Sequence, residues 1–388
     1  MIKSLTEKVN KQNRRRVLFA MMAQLPRKEN LVMFESFHAK QYSDNPRAIY
    51  EYMKEHHKDY ELLWSVDPSA EQMFIDLKVP YVVRYTRAWF QTFPRAKYWV
   101  NNVRLPGWMP KPKETVYVQT WHGTPLKKLG VDIEEVHMPG TQTDTYKKNF
   151  IAETRKWDFL VSPNPYATEI LTRAFAFRGK VIESGYPRND VLALPSENLI
   201  RSLKEKLGIP LDKKVMLYAP TWRDDEFYQR GKYKFKFQFD LEAWQKEFGD
   251  EWVLLSRMHY LVVENFDFSA YDGMVYDVSS YPDIRDLYLI SDMMITDYSS
   301  VFFDYAILNR PVIFFMYDLE KYRDTLRGFY IDIEQEAPGP IAQTEEELFQ
   351  AIRQLIQSPP RSNAFKEKFS SLEDGQATKR VVETFLNS

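Results

Sequence analysis

The chain has 388 residues, 44% hydrophobic and 15% aromatic, enough apolar surface for more than one packed core. With 53 Lys and Arg against 54 Asp and Glu, the net charge of -1 excludes a polycation built for duplex nucleic acid. The absence of cysteine excludes disulfide scaffolds, thiolate metal sites, iron–sulfur clusters and cysteine nucleophiles.

The first 30 residues are locally basic: Lys3, Lys8, Lys11, Arg14, Arg15, Arg16, Arg27 and Lys28 face only Glu7 and Glu29. Ile2, Leu5, Val9 and the run ending in Leu25 predict an amphipathic helix over residues 1–28, suited to an anionic membrane surface. The apolar run Val17 to Ala23 is far shorter than the roughly 20 residues a bilayer span needs. No small-residue cleavage site follows it, which argues against a secretory signal.

After Pro26 short apolar runs alternate with helical patterns, the signature of an α/β fold. Strands are predicted at Leu31–Phe37, Tyr60–Val66, Tyr81–Arg84, Thr115–Thr120, Trp157–Ser162 and Arg178–Glu183, with helices at Asn45–Glu55 and from Tyr166. A polar helix, Glu197–Leu207, leads through Gly208, Pro210 and Asp212 to the strongest strand, Lys214–Ala219. A second series follows: strands Glu251–Arg257, Met274–Asp277, Met293–Thr296 and Val312–Phe315, and helices Ile284–Ile290, after Ser299, and Glu345–Ile356. Two Rossmann-like domains are expected, 29–208 and 209–388, facing a cleft at the carboxyl ends of their strands.

Of six histidines, two follow well-formed strands. His122 lies in Trp121-His122-Gly123-Thr124-Pro125, where glycine and proline mark a tight turn that exposes the imidazole beyond the strand. His259 closes Arg257-Met258-His259. His38, His56, His57 and His137 lack such context and read as surface or packing residues. A further constellation, Thr296-Asp297-Tyr298-Ser299-Ser300 with Asp304 one turn on, offers hydroxyls and N–H groups where a helix opens, which suits a phosphate as well as an ordinary cap. Arg188, Arg223 after Pro220 and Thr221, and Arg257 each follow a predicted strand and can hold phosphate oxygens in pairs.

P-loop, dinucleotide, zinc-protease and serine-hydrolase motifs are missing. Asp224-Asp225 reads as solvated charge beside Arg223 and Glu226. No metal and no cofactor are expected, so a diphosphate has to be neutralised by arginine, histidine and N–H groups.

The segments WHGTPLKKLG, SPNPYATEI, SGYPRNDVL, YAPTWRDD, RMHYLVV and TDYSSVFFDYAILNRPVIFF, in that order, resemble the CDP-glycerol glycerophosphotransferase family of teichoic acid synthesis. The resemblance runs from FESFHAKQYSDNPRAIYEY to SLEDGQATKR. It implies a GT-B-like pair of domains, an acceptor half and then a donor half. The donor is then CDP-glycerol, and the acceptor an undecaprenyl-diphosphate-linked disaccharide already bearing glycerol phosphate. The sister activities are the primase acting on the bare ManNAc-GlcNAc lipid and the poly(glycerol phosphate) polymerase.

By the same resemblance His122 is the general base, Arg257 and His259 sit on the diphosphate, Ser299 and Ser300 hold phosphate oxygens, and Asp304 meets the glycerol hydroxyls. Trp121 to Pro125, Arg188, Pro220, Thr221, Arg223 and Met258 complete the pocket. The expected place is the cytoplasmic face of the bacterial cell membrane, with peripheral attachment. A glycosyltransferase or epimerase of like fold, and a non-catalytic binder of anionic glycans or lipids, are the alternatives, and CMP release separates them from the transferase.

Overall fold

The computed structural model describes residues 2–135, 142–221, 227–229, 232–233, 237–258, 268–319, 328–358 and 363–388. Arg223, Asp224, Asp225, His137 and His259 lie outside them.

The chain divides into two compact units. The first comprises Met1–His122, Leu129–Asp190 and Gln376–Ser388; the second comprises Gly123–Lys128 and Val191–Gly375. This division differs from a single boundary at 208/209: the helix Glu197–Lys206 packs on Ile284–Ile290 in the second unit, and the final helix returns to the first.

The first unit opens with α1 (Ile2–Met22). It then alternates β1 (Lys28–Glu35), α2 (Asp44–His56), β2 (Glu61–Val66), α3 (Glu71–Asp76), β3 (Tyr81–Val83), α4 (Arg87–Thr92), β4 (Ala96–Asn101) and β5 (Val116–Gln119). After these come α5 (Thr143–Thr154), β6 (Phe159–Ser162), α6 (Pro165–Ala174) and β7 (Lys180–Glu183). The strands form one parallel sheet in the order β3-β2-β1-β4-β5-β6-β7.

Central β1 buries Leu31 to Glu35 without a break, as expected of a parallel strand covered on both faces. Its Phe34 stacks on Trp64 of β2, and Tyr42, Tyr50 and Phe74 close an aromatic core around that pair. Val381, Val382 and Phe385 of the final helix, Ala377–Leu386, complete the same core. Asp190 anchors that helix by accepting from the Ala377 and Thr378 N–H groups, both at 2.9 Å.

The helix starts follow from local chemistry. Asn164 caps α6 by accepting from the Ala167 N–H at 2.7 Å, with Pro165 at the first helical position. The aromatic segment Trp89 to Trp99 becomes part of α4, a short turn and β4. There Trp89, Phe93, Trp99 and Trp108 form a pocket that receives Phe19 of α1, which is fully buried.

In the second unit β8 (Lys214–Ala219) is followed in the chain by a small hairpin of β9 (Phe227–Gln229) and β10 (Lys232–Tyr233), then by β11 (Trp252–Ser256), β12 (Val275–Asp277), β13 (Met293–Thr296), β14 (Val312–Phe315) and β15 (Ile341–Ala342). Apart from the hairpin, these pair in the parallel order β12-β11-β8-β13-β14-β15. The helix Glu345–Gln357 begins with a reciprocal pair, Thr344 and Glu347, each side chain accepting from the other's backbone, and its Leu348, Ile352 and Leu355 enter the core.

Candidate active site

His122 stands three residues past Gln119, the end of β5, in a turn held from three sides. Trp121 has φ of 53°, a left-handed conformation costly for a residue with a side chain. Its N–H donates to Gln119 Oε1 at 2.9 Å, while its carbonyl accepts from Asn45 Nδ2 at 3.1 Å and Thr120 Oγ1 at 3.1 Å. Asn45 is fully buried, and its Oδ1 accepts the Arg188 N–H at 3.0 Å, so one amide ties the His122 turn to the Pro187–Asn189 turn. Arg188 is itself buried, with Nη1 on Asp44 Oδ2 at 2.8 Å.

The imidazole is oriented from the other side. Its Nδ1 lies 2.7 Å from the Asn102 carbonyl, which can only accept, so Nδ1 carries the proton and Nε2 keeps the lone pair. Burial pushes the His122 pKa down to about 4, outweighing the upward effect of the Asn102 bond, and Arg188 adds to the depression. The ring is therefore neutral at physiological pH. Trp121 lies against it with centroids 4.2 Å apart, and Phe37 at 5.7 Å.

Phe37 belongs to a strained turn at the end of β1. Phe37, His38 and Ala39 have φ of 42°, 61° and 69°, left-handed values that cost L-residues roughly 1–2 kcal/mol each. The turn persists because Asn102 Oδ1 accepts the Phe37 N–H at 2.9 Å, Arg84 Nη1 donates to the His38 carbonyl at 3.0 Å, and the Asp67 N–H donates to the Ala39 carbonyl at 2.8 Å. Fully buried Asn102 thus fixes the His122 ring with its carbonyl and the strained turn with its side chain.

The second unit gathers its own set at the carboxyl ends of adjacent strands. β8 leads into Pro220 and Thr221, β11 into Arg257 and Met258, and β13 into Asp297 to Ser300. Asp297 Oδ1 accepts the Thr221 N–H at 2.8 Å, and Thr296 Oγ1 donates to the Ala219 carbonyl at 2.8 Å, binding two of these ends together. The Met258 N–H donates to Ser279 Oγ at 3.0 Å. Arg257 is mostly buried, and its Nη1 donates to three carbonyls, Val278, Ser279 and Tyr281, at 2.6, 2.8 and 2.6 Å. Burial lowers its pKa.

Ser299 and Ser300 are half-buried at the start of Val301–Tyr305, and Ser300 makes no side-chain cap bond. Asp304 is buried. Gly123 approaches this corner: a Cβ there would lie 3.3 Å from Ser300 Oγ, so a side chain would press on that hydroxyl. Thr124 and Pro125 are buried, and the following residues pair with 328–330, the Leu126 carbonyl accepting from Tyr330 N–H at 2.9 Å and Lys128 N–H donating to Gly328 O at 2.9 Å.

The predicted residues therefore fall into two sets. Trp121, His122 and Arg188 are in the first unit; Gly123, Thr124, Pro125, Pro220, Thr221, Arg257, Met258, Ser299, Ser300 and Asp304 are in the second. Sequence reasoning missed Asn45, Asn102 and Asp44, whose partners lie up to 144 positions away.

Similarity to known proteins identifies the family. Residues 17–387 match the family described as CDP-glycerol:poly(glycerophosphate) glycerophosphotransferase. The chain is 54% identical over 376 residues to the teichoic acid poly(glycerol phosphate) polymerase of Bacillus subtilis (strain 168), covering 96% of this chain and 50% of that protein, so it spans about half of that relative's length. It is 50% identical over 375 residues to the teichoic acid glycerol-phosphate transferase of Staphylococcus aureus (strain NCTC 8325 / PS 47), covering 95% of each.

A solved structure of the wall teichoic acid polymerase TagF, soaked with CDPG, superposes with a TM-score of 0.87 at 40% identity, covering 100% of this chain and 96% of that one. Both parallel-sheet domains are matched, so the fold is GT-B-like. By extent and by identity, this chain belongs to the CDP-glycerol:poly(glycerophosphate) glycerophosphotransferase family of enzymes.

Proposed function

We propose that the chain moves glycerol phosphate from CDP-glycerol to an undecaprenyl-diphosphate-linked disaccharide that already bears glycerol phosphate, releasing CMP, in wall teichoic acid synthesis. The observation that carries this reading is the state of His122, a neutral imidazole with Nδ1–H committed to the Asn102 carbonyl and Nε2 basic. In the reaction the acceptor hydroxyl gives its proton to Nε2 as its oxygen attacks the glycerol-bearing phosphorus. The bond from that phosphorus to the bridging oxygen breaks, and CMP leaves with the electron pair.

Phosphoryl transfer of this kind is catalysed by positioning and charge stabilisation more than by covalent participation. On the donor side Arg257 and His259 are assigned to the diphosphate, Ser299 and Ser300 to phosphate oxygens and Asp304 to the glycerol hydroxyls. Trp121, Gly123, Thr124, Pro125, Pro220, Thr221, Arg223 and Met258 line the donor. Arg188 serves the site through Asp44 and Asn45.

A lipid-linked acceptor calls for an enzyme at the bilayer surface, and α1 supplies a suitable face. With Phe19 seated inward, Val17, Leu18, Met21 and Leu25 are 59%, 38%, 60% and 43% exposed, beside exposed Arg14 and Arg16. That combination fits a helix lying in an anionic interface on the cytoplasmic side. No described helix is long and apolar enough to cross a membrane.

The test is CMP release from CDP-glycerol with a synthetic lipid disaccharide, bare or already carrying one glycerol phosphate, using His122→Ala as the blank. Turnover on the primed acceptor supports the reading. Turnover on the bare one alone makes the chain a primase, and silence on both rejects CDP-glycerol as donor. The polymerase names of the Bacillus relatives favour a second outcome worth measuring, products longer than one added unit.

A further inference from the structure

Next to the base, the first unit carries cationic groups that the transfer step leaves unused. The left-handed turn pushes His38 and Lys40 into solvent beside the Phe37 ring that packs on His122. Arg104 lies two residues beyond Asn102, its guanidinium 4.5 Å over the Phe150 ring and 5.6 Å from that of Tyr146. Aromatic faces hold it without neutralising it, and among the described residues neither Lys40 nor Arg104 has an ion-pair partner. Of the nearby carboxylates, Glu35 faces Arg84 at 3.5 Å, Asp67 accepts from Ser69 and feels the Lys40 charge, and Glu153, which feels Arg104, pairs with Lys156 at 2.6 Å. His38 feels this crowding, since partial burial and then Arg84, Lys40, His122 and Arg104 all lower its pKa, making it a neutral N–H donor.

We propose that His38, Lys40 and Arg104 form a subsite for the phosphodiester of the acceptor's terminal glycerol phosphate. The inference rests on the primed-acceptor reading above and names the groups that recognise the priming unit. Chain length selects this phosphate: an attacking glycerol hydroxyl at Nε2 of His122 is one glycerol away from its own phosphate. The lipid diphosphate lies two sugars farther off. Two cations and a neutral donor around one anion suit a singly charged phosphodiester. The strained turn is then what presents His38 and Lys40 to it.

The experiment compares kcat/KM for primed and bare lipid disaccharides at saturating CDP-glycerol, in the full chain and in Lys40→Gln, Arg104→Gln and His38→Ala. Loss of either cation is expected to lower kcat/KM on the primed acceptor by about tenfold and to leave the bare acceptor and the KM for CDP-glycerol within about twofold. Lys40→Arg should retain the preference, and rising salt should erode it in the native protein. Equal loss on both acceptors, or none on either, overturns the subsite while leaving the transferase intact. No preference for the primed acceptor in the native protein also overturns it. Absence of any CMP release overturns the transferase reading and the subsite with it. The exposed Lys40 side chain makes no hydrogen bond or ion pair among the described residues, its backbone N–H alone holding the turn, so its variant reports binding rather than stability.

Discussion

The two units prepare their groups in opposite ways. In the first, His122, the proposed base, is locked: Asn102 sets its tautomer, Asn45 holds the preceding carbonyl, and Trp121 and Phe37 flank its ring. In the second, backbone ends are joined through Asp297 and Thr296, yet the hydroxyl of Ser300 makes no cap bond, and among the described residues Arg257 is tied to backbone carbonyls through Nη1 alone. A base works through one lone pair at one place, so rigidity favours it. A donor pocket must accept a charged ligand and release a differently charged product, which suits donors left unsatisfied by the protein itself.

The sharpest way to break this contrast is to remove the proposed base. His122→Ala should lower kcat by about a hundred- to ten-thousand-fold with donor affinity unchanged, measured by CMP release and by CDP-glycerol titration. A matching loss of donor binding would move His122 to the other side of the comparison.

Arg188→Ala should act almost as strongly, but on the fold. It leaves Asp44 as a buried carboxylate without its 2.8 Å partner, an arrangement that typically costs about 3–5 kcal/mol. Thermal or denaturant unfolding reads this directly, and an unchanged midpoint rejects the clamp.

Asn45→Ala should cost about 1–3 kcal/mol through unpaired buried groups and should lower kcat more than it raises either KM. An effect on stability alone would make Asn45 a packing residue.

The pH profile sharpens the same point. A folded pKa of about 4 against the ordinary 6.5 keeps His122 in its basic form down to mildly acidic pH. The acid limb of kcat/KM assigned to this group should therefore fall near pH 4, with a plateau through pH 6. Because the folded value is the lower one, neutral His122 favours the folded state above pH 6.5, and that contribution is lost as pH falls toward 4. A limb near 6.5 that vanishes in His122→Ala would show that the ring is not desolvated.

Ser300→Ala is the mildest change. It should raise the KM for CDP-glycerol a few-fold, the worth of about one hydrogen bond, and should leave the unfolding midpoint alone, since no cap bond is lost.

Sequence made parts of this molecule legible and hid others for identifiable reasons. Both sheets are legible because buried parallel strands are uninterrupted apolar runs: Lys214–Ala219 and Val312–Phe315 fall where expected, and the strand expected at Leu31–Phe37 runs from Lys28 to Glu35. His122 was visible because a strand, a glycine and a proline bracket it. Asn45 and Asn102 were not, since an asparagine at a helix start or in a loop reads as cap or turn chemistry until its partners are known, and those lie 76 and 65 positions away. The left-handed turn at Phe37 to Ala39 contains no glycine, so nothing local signalled it. Helix Ala377–Leu386 escaped because its core partners belong to the start of the chain.

The seat of Phe19 has a practical consequence for handling the protein. Cutting away the leader would uncover Trp89, Phe93, Trp99 and Trp108 together, an adhesive aromatic patch in water. A shortened chain that precipitates, or that clings to detergent, would then say nothing about lipid. Polar replacements at Val17, Leu18 and Met21, with Phe19 kept, are the cleaner route to a well-behaved sample and to an unambiguous vesicle assay.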